Sequence, residues 1–213
     1  MRTDELITML ATSSGAVESG SASKRVAMAM GWGAFGAALL MAVMLGVRPD
    51  LSQAVSRPMF WVKIGYATTL LLASLFAVSR LSRPGLALSG VAPVILAPVI
   101  AIWILGAVEL VGADPGERYR LLIGRTWRSC PELIATLSVP SFVAMMWAMK
   151  GLAPTRLRLA GAAAGLVASS IGTVVYSFHC PEMSATFLGC WYLLGMLVLP
   201  AVGAMLGPRL LRW

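Results

Sequence analysis

Residues 86–110 read LALSGVAPVILAPVIAIWILGAVEL and contain a single charged side chain, Glu109. A helix of about 20 apolar residues is long enough to cross the ~30 Å hydrocarbon layer of a membrane. Five other stretches are comparably apolar, although the fourth stretch of the chain is shorter than the rest. They are residues 26–47, 59–78, 134–149, 159–178 and 186–206. The sequence therefore predicts six transmembrane helices.

The composition of the whole chain supports this interpretation. Hydrophobic residues make up 58% of the 213 residues, charged residues make up 12%, and the mean hydropathy is +0.81. A soluble domain carries about twice that share of charge. We predict an all-α polytopic membrane bundle over residues 26–213, preceded by a polar N-terminal segment over residues 1–25. The first apolar stretch begins too far along the chain, and is too long, for a cleaved signal peptide.

The positions of the basic residues predict the orientation of the bundle. The formal net charge is +8, but Lys and Arg lie in short clusters between apolar stretches, which is typical of a membrane protein rather than of a nucleic-acid-binding protein. Because short loops rich in Lys and Arg stay in the cytoplasm, both termini are predicted to be cytoplasmic. The basic residues on that side are Arg2, Lys24, Arg25, Arg80, Arg83, Lys150, Arg156, Arg158, Arg209 and Arg212.

The triplet Cys-Pro-Glu occurs at residues 130–132 and again at 180–182, in a chain that has only three cysteines. The predicted topology puts both copies on the outer side of the membrane, where an oxidising compartment permits disulfides. Three interpretations remain open for the two thiols: a disulfide, a metal site, and two unrelated buried thiols. Besides Cys130 and Cys180, a metal site would draw on neighbouring side chains, namely Glu132, His179 and Glu182.

An enzymatic role for these thiols is the alternative that we weigh against a regulatory one. A membrane thiol oxidoreductase would pass electrons from Cys130 and Cys180 to quinone. Dithiol oxidoreductases usually keep the two cysteines in a C-x-x-C motif, which this sequence lacks. The third cysteine, Cys190, lies within the sixth apolar stretch, and its favoured interpretation is a small hydrophobic residue of the core.

Two charged residues and several glycines mark the predicted spans themselves. Lys63 and Glu109 lie near the outer ends of the second and third spans, where they form either an ion pair or a snorkelling lysine and an interfacial glutamate. The run GWGAFG at residues 31–36 matches a dinucleotide fingerprint, but it opens a membrane helix rather than following a strand. Together with the G-x-x-x-G pairs that start at Gly161 and Gly203, it predicts close helix packing.

The chain begins with a second candidate site. The run TDELITMLA has Thr3 as an N-cap, acidic residues in the first turn and an apolar stripe formed by Leu6, Ile7 and Leu10. A polar linker, TSSGAVESGSAS, connects this run to the first span. The segment is either a frayed terminus or a short amphipathic helix that docks its stripe in the groove of a partner.

Taken together, these segments resemble the NrsF family of membrane anti-sigma factors. The resemblance extends over nearly the whole chain, and its most specific parts are CPELIATLSVPSF, HCPEMSATF and LAPTRLRLAG. It implies a bacterial inner-membrane protein that is not an enzyme and whose cytoplasmic face sequesters a sigma factor of the extracytoplasmic-function type. The N-terminal stripe would contact the sigma factor, with further contacts from the loops at residues 79–85 and 150–158.

The resemblance also implies what the cysteine pair does. In the family, two cysteines are needed for the response to heavy metals such as chromium and cadmium, or to related oxidative stress. Carried over to this sequence, they are Cys130 and Cys180. The resemblance implies no cofactor beyond transient binding of a heavy metal, and no direct contact with nucleic acid.

Overall fold

The computed structural model describes residues 3–13, 20–83 and 85–212, without the side chains of Leu10 and Ser13. These residues form helices and no strand. The helices before the first cysteine motif are α1 (Thr3–Ser13), α2 (Ser21–Met44), α3 (Leu51–Val55), α4 (Pro58–Leu81), α5 (Val91–Gly112) and α6 (Pro115–Ile123). The rest are α7 (Ser129–Lys150), α8 (Leu157–Tyr176), α9 (Ala185–Phe187) and α10 (Leu193–Leu210). A π-helical turn over Leu188–Tyr192 joins α9 to α10.

Six helices in the described ranges are long and apolar enough to span a membrane: α2, α4, α5, α7, α8 and the continuous helix Ala185–Leu210. The predicted all-α fold of six spans is therefore confirmed. The ends of the helices differ from the predicted stretches by a few residues. α7, for example, begins at Ser129 rather than at residue 134, and a further short helix, α6, lies between the third and fourth predicted spans.

The α8 helix lies at the centre of the bundle and packs against α2, α4, α7 and α10. Its buried face is made mostly of small residues, which let neighbouring backbones approach closely. A Cβ atom on Gly161 would collide with the carbonyl oxygen of Gly203, and one on Gly207 would collide with that of Leu157. The predicted packing role of the G-x-x-x-G pairs is thereby confirmed for the α8–α10 contact.

The glycines of the GWGAFG run have the same role between α2 and α7. A Cβ atom on Gly33 would lie 2.6 Å from the Cα atom of Ser141, and one on Gly36 would lie 2.8 Å from the Cβ atom of Pro140. Gly31 has nothing within 4 Å. Helix packing, rather than dinucleotide binding, therefore explains two of these three glycines.

Because the six spans alternate in direction, the bundle has two ends. We call the end that holds Cys130 and Cys180 the cysteine end, and the end that holds the start of α2 and the last turn of α10 the termini end. The short helices α3 and α6 lie at the cysteine end, between successive spans. Both cysteines belong to one cluster of buried side chains, so the two Cys-Pro-Glu copies come together as the alternating topology predicted.

Candidate functional site

The two thiols at the cysteine end are fully buried. Cys130 lies in the first turn of α7, and Cys180 follows α8, where its backbone N–H still bonds the Tyr176 carbonyl at 3.0 Å. Both side chains have 0% exposure, and all three cysteines of the chain are free thiols. Tyr176 and Tyr192 belong to the same buried cluster as the two cysteines, and the centroids of their rings are 5.7 Å apart.

Two cations converge on the backbone carbonyl of Cys180. The Lys63 Nζ donates to this oxygen at 3.0 Å, and the Arg48 Nη1 donates to it at 3.1 Å. Lys63 has 0% exposure, and its Nζ lies 5.8 Å from the centroid of the Tyr192 ring. A buried ammonium group is costly unless polar atoms surround it, so the second cysteine motif provides part of the environment that Lys63 requires.

Of the two alternatives for Lys63 and Glu109, the ion pair does not form in the described part of the structure. The Glu109 carboxylate instead accepts hydrogen bonds from Ser184 Oγ at 2.8 Å and from the N–H and Oγ1 of Thr186, both at 3.0 Å. These donors lie at the start of the helix that begins at Ala185. The free N–H groups and the positive dipole end of a helix attract a carboxylate, which explains why Glu109 pairs with that helix rather than with Lys63.

Arg48 also forms a bidentate ion pair with Asp50, with distances of 2.7 Å from Nε and 2.6 Å from Nη2 to the two carboxylate oxygens. This contact raises the pKa of Arg48 above its ordinary value and lowers the pKa of Asp50 below its own. The Arg48 backbone N–H donates to the Phe178 carbonyl at 3.2 Å, and His179 Nδ1 lies 2.9 Å from the Gly46 carbonyl. The residues that follow α2 are therefore bonded to the segment before Cys180 through one backbone–backbone contact and one side-chain contact.

Glu182, the glutamate of the second motif, fixes the chain just ahead of the first motif. Its carboxylate accepts hydrogen bonds from the Arg125 N–H at 2.7 Å and from the N–H and Oγ1 of Thr126, both at 3.2 Å. The Thr126 carbonyl in turn accepts from the Cys130 N–H at 2.8 Å. Gly124 permits this arrangement, because its φ is +59° and a Cβ atom there would lie 2.8 Å from the Glu182 carboxylate.

The two copies of the motif thus differ in what their glutamates do. Glu132 is exposed in the first turn of α7, where its charge complements the helix dipole. Glu182 bridges two segments of the chain. Of the five residues predicted at this site, the structure brings Cys130, Cys180 and Glu182 into one connected arrangement. His179 is directed to the Gly46 carbonyl, and Glu132 faces outward.

The π-helical turn at residues 188–192 places Tyr192 beside the cysteines. A π turn leaves a helix carbonyl without its usual partner, and the indole N–H of Trp103 donates to the Gly189 carbonyl at 2.9 Å. Tyr192 has 0% exposure, whereas Cys190 in the same turn is exposed on the surface of the span. The interpretation of Cys190 as a core residue is therefore wrong. The π turn directs it away from the bundle interior.

The ligands available to a metal follow from this geometry. Within the described part of the chain, no three His, Cys, Asp or Glu side chains lie together as a metal-binding group. The pair Cys130 and Cys180 offers two sulfur atoms, which suit soft thiophilic ions better than hard ones. Further ligands would have to come from elsewhere or from rearrangement of neighbouring side chains.

The termini end carries the second predicted site. α1 forms as predicted, with Asp4 and Glu5 in its first turn. Leu6 is 42% exposed and Ile7 is 58% exposed, so this part of the stripe is uncovered. The side chain of Leu10, the third predicted contact residue, lies outside the described part of the structure. α1 thus presents apolar side chains that the bundle does not use.

A contact at the termini end also joins the start of α2 to the end of α7. The Arg25 guanidinium lies 4.1 Å from the centroid of the Trp147 ring, and its Nη2 donates to the Trp147 carbonyl at 3.3 Å. A Cβ atom on Gly151 would collide with the same guanidinium. α7, which has Cys130 in its first turn, therefore contacts the start of α2 through its last turns.

The fold and these two sites define a class: a polytopic helical protein with a buried thiol pair at one end and an exposed amphipathic helix at the other. The match to a family model is more specific. The model described as "Negative regulator of sigma F" matches residues 10–213. The chain belongs to this family, the NrsF family, and the predicted resemblance is confirmed.

Two curated relatives cover the full length of the chain. It is 56% identical over 213 residues to the "Probable anti-sigma-F factor NrsF" of Azospira oryzae, with all of both chains covered. It is 42% identical over 216 residues to the "Anti-sigma-F factor NrsF" of Caulobacter vibrioides, again with all of both chains covered. No solved structure matches the chain. Both relatives are named as regulators, which is consistent with the prediction that the chain is not an enzyme.

Proposed function

We propose that this protein is an inner-membrane anti-sigma factor that holds a sigma factor of the extracytoplasmic-function type and releases it when Cys130 and Cys180 react with a heavy metal or an oxidant. The observation that carries the proposal is the buried thiol pair in a chain of the NrsF family, at the opposite end of the bundle from α1. The relatives named as anti-sigma-F factors support the choice of partner. No direct contact with nucleic acid is part of the proposal.

In this proposal the termini end faces the cytoplasm. The clusters of Lys and Arg at that end support the orientation through the positive-inside rule. Residues 1–25 are then the cytoplasmic segment and residues 26–213 the transmembrane domain. The cysteine end faces the periplasm, where metals and oxidants reach it without crossing the membrane.

The sigma factor is held by the cytoplasmic segment, with Leu6, Ile7 and Leu10 as contact residues. A helix as short as α1 is marginally stable on its own and gains order on a partner. The exposure of Leu6 and Ile7 supports this role, since neither side chain is covered by the bundle. Apolar residues at helical spacing suit a groove on a folded partner.

Modification of the thiols must disturb the cysteine end because no space is left around them. A soft metal ion displaces a proton from each thiol that it binds, and it brings an atom into a fully buried site. An oxidant instead takes two electrons from the two thiols, which lose two protons and form a disulfide. In both cases Tyr176, Tyr192 and the Cys180 segment have to move.

α7 is the element suited to carry that movement to the other end. Its first turn contains Cys130, and its Trp147 contacts Arg25 near the start of α2. These two residues of α7 are separated by roughly 25 Å at 1.5 Å per residue. A tenfold release of the sigma factor requires about 1.4 kcal/mol of difference between the two states. Loss or rearrangement of a few buried contacts provides a free energy of this size.

Co-purification tests the proposal. The full-length protein, solubilised in detergent, is expected to retain sigma F from the same genome in the absence of metal and to lose it on addition of Cd²⁺ or an oxidant. Removal of residues 1–12 is expected to abolish retention while membrane insertion is unchanged. A wild-type protein that retains no sigma F under any of these conditions contradicts the proposal. Retention without residues 1–12 would contradict only the role given to α1.

A further inference from the structure

Three arginines converge on a polar cavity at the termini end. The cavity has a volume of about 250 Å³, and its lining includes Arg80 at the end of α4, Arg83 just after α4, and Thr155 and Arg156 just before α8. The two chain segments are far apart in sequence, and the packing of α4 against α8 brings them together. In the part of the chain that the structure describes, no acidic residue lines the cavity.

The charge of this cavity is not balanced by an acidic partner among the described residues. In the ranges that the structure describes, none of the three arginines forms an ion pair with a carboxylate. The Arg80 guanidinium lies 4.9 Å from the centroid of the Phe76 ring, and Arg83 and Arg156 are exposed. Three arginines that line one cavity favour an anionic ligand that presents planar oxygen pairs, such as a carboxylate.

An apolar groove adjoins the cavity and shares Arg83 with it. The groove has a volume of about 290 Å³ and runs between α2 and α4. Val26 and Met30 line it on one side, and Leu75 and Val78 on the other. It begins at Ala22, at the start of α2, which is where the N-terminal segment joins the bundle. The two depressions together match a ligand that is both acidic and apolar.

We propose that this arginine cavity and the adjoining groove bind an acidic amphipathic helix of the sigma factor, and this inference rests on the proposed function above. Apolar side chains of that helix occupy the groove, and its carboxylates contact Arg80, Arg83 and Arg156. Charge complementarity favours this occupant. So does continuity with α1, since a partner held by the N-terminal segment lies next to Ala22. α1 itself does not occupy the groove, because Leu6 and Ile7 are exposed.

The test measures binding of purified sigma F to the full-length protein in nanodiscs of phosphatidylcholine, at several salt concentrations. The variant Arg83→Glu/Arg156→Glu is expected to bind at least about tenfold more weakly than the wild type, with a smaller dependence on salt, because like charges then face each other. The matched control is Arg118→Glu/Arg120→Glu in α6, which reverses two charges at the opposite end and is expected to bind like the wild type. Equal melting temperatures in nanodiscs verify that all the proteins are folded.

The outcomes separate this inference from the proposed function. Wild-type affinity in Arg83→Glu/Arg156→Glu overturns the inference and leaves the anti-sigma proposal standing. Absence of binding by the wild type overturns both. A parallel measurement uses nanodiscs that contain phosphatidylglycerol and compares binding of this anionic lipid to the wild type and to the variant. If the variant binds the lipid more weakly but keeps its affinity for sigma F, lipid headgroups are the occupant of the cavity. That result also overturns the inference.

Discussion

The ammonium group of Lys63 donates a hydrogen bond to the carbonyl oxygen of Cys180 at 3.0 Å, and both residues are fully buried. This contact ties α4 to the second Cys-Pro-Glu motif. Arg48 donates to the same oxygen at 3.1 Å, so the position of Cys180 depends on two cations from different parts of the chain. A buried carbonyl with two donors can lose one of them without becoming unsatisfied.

That redundancy predicts non-additive effects on stability. The loss of unfolding free energy in the double variant Lys63→Met/Arg48→Met is expected to exceed the sum of the losses in the two single variants. Only the double variant leaves the Cys180 carbonyl without a donor. We expect a coupling free energy of about 1 kcal/mol or more from the double-mutant cycle. Thermal unfolding in detergent measures it. Arg57→Met, at an exposed cation near the same end, serves as the control, and strictly additive effects would contradict the shared-acceptor geometry.

The two glutamates of the repeated motif are expected to differ in importance. Glu182→Ala removes the acceptor for three hydrogen bonds from Arg125 and Thr126, which should cost about 1–3 kcal/mol. Glu132→Ala removes an exposed side chain and should change stability by about 0.5 kcal/mol or less. The comparison of melting temperatures needs no further control, because each variant is the control for the other. Similar losses in both would rule out the bridging role of Glu182.

The Arg48–Asp50 ion pair predicts a specific pH dependence. The contact lowers the pKa of Asp50 below its ordinary value of 3.8, so the folded state holds the Asp50 proton less tightly than the unfolded state. The stabilisation is therefore present above the ordinary pKa and is lost as the pH falls through the lowered one. Wild type is expected to melt at a higher temperature than Asp50→Asn near pH 7, and the difference is expected to shrink as the pH falls below 3.8 and to vanish once Asp50 is protonated in the folded state as well. A difference that stays constant across this range would exclude the ion pair as its cause.

The close contact between α8 and α10 predicts the effect of side chains added at the glycines. Gly203→Val places a Cβ atom against the Gly161 carbonyl, and it is expected to destabilise the detergent-solubilised protein by at least about 2 kcal/mol. Gly31→Ala is the matched control, because Gly31 has nothing within 4 Å, and replacement in a helix should be neutral or stabilising by about 0.5–1 kcal/mol. Equal melting temperatures for the two variants would mean that these helices do not pack as closely as described.

The fold was largely predictable from the sequence because a membrane span needs a run of about 20 apolar residues, and few other structures contain such a run. The early start of α7 was not predictable, because its first turn is polar. The segment ahead of it is positioned by hydrogen bonds to Glu182, which is far away in the chain. α6 was missed, although Pro115 at its start and Gly124 at its end were available signals. A search restricted to apolar runs does not detect a polar helix of this length.

At the candidate site, alternation of the spans was enough to predict that the two cysteines share one end. The partners of Lys63 and Glu109 were beyond the sequence. Two residues at similar depth meet only if both helices are rotated to face each other, and rotation is set by packing. The donors that Glu109 uses, Ser184 and Thr186, lie at a helix start and could have been recognised as competitors for its carboxylate.

In the proposed function, Cys130 and Cys180 together control release of the sigma factor. This control is tested most directly by a sigma-F-dependent transcriptional reporter in cells that carry the wild type, Cys130→Ser, Cys180→Ser or Cys190→Ser, before and after exposure to cadmium or chromate. Immunoblotting verifies equal amounts of each protein. We expect induction in the wild type and in Cys190→Ser, whose thiol is exposed outside the buried pair, and no induction in Cys130→Ser or Cys180→Ser. Normal induction in either Cys130→Ser or Cys180→Ser would contradict this joint control.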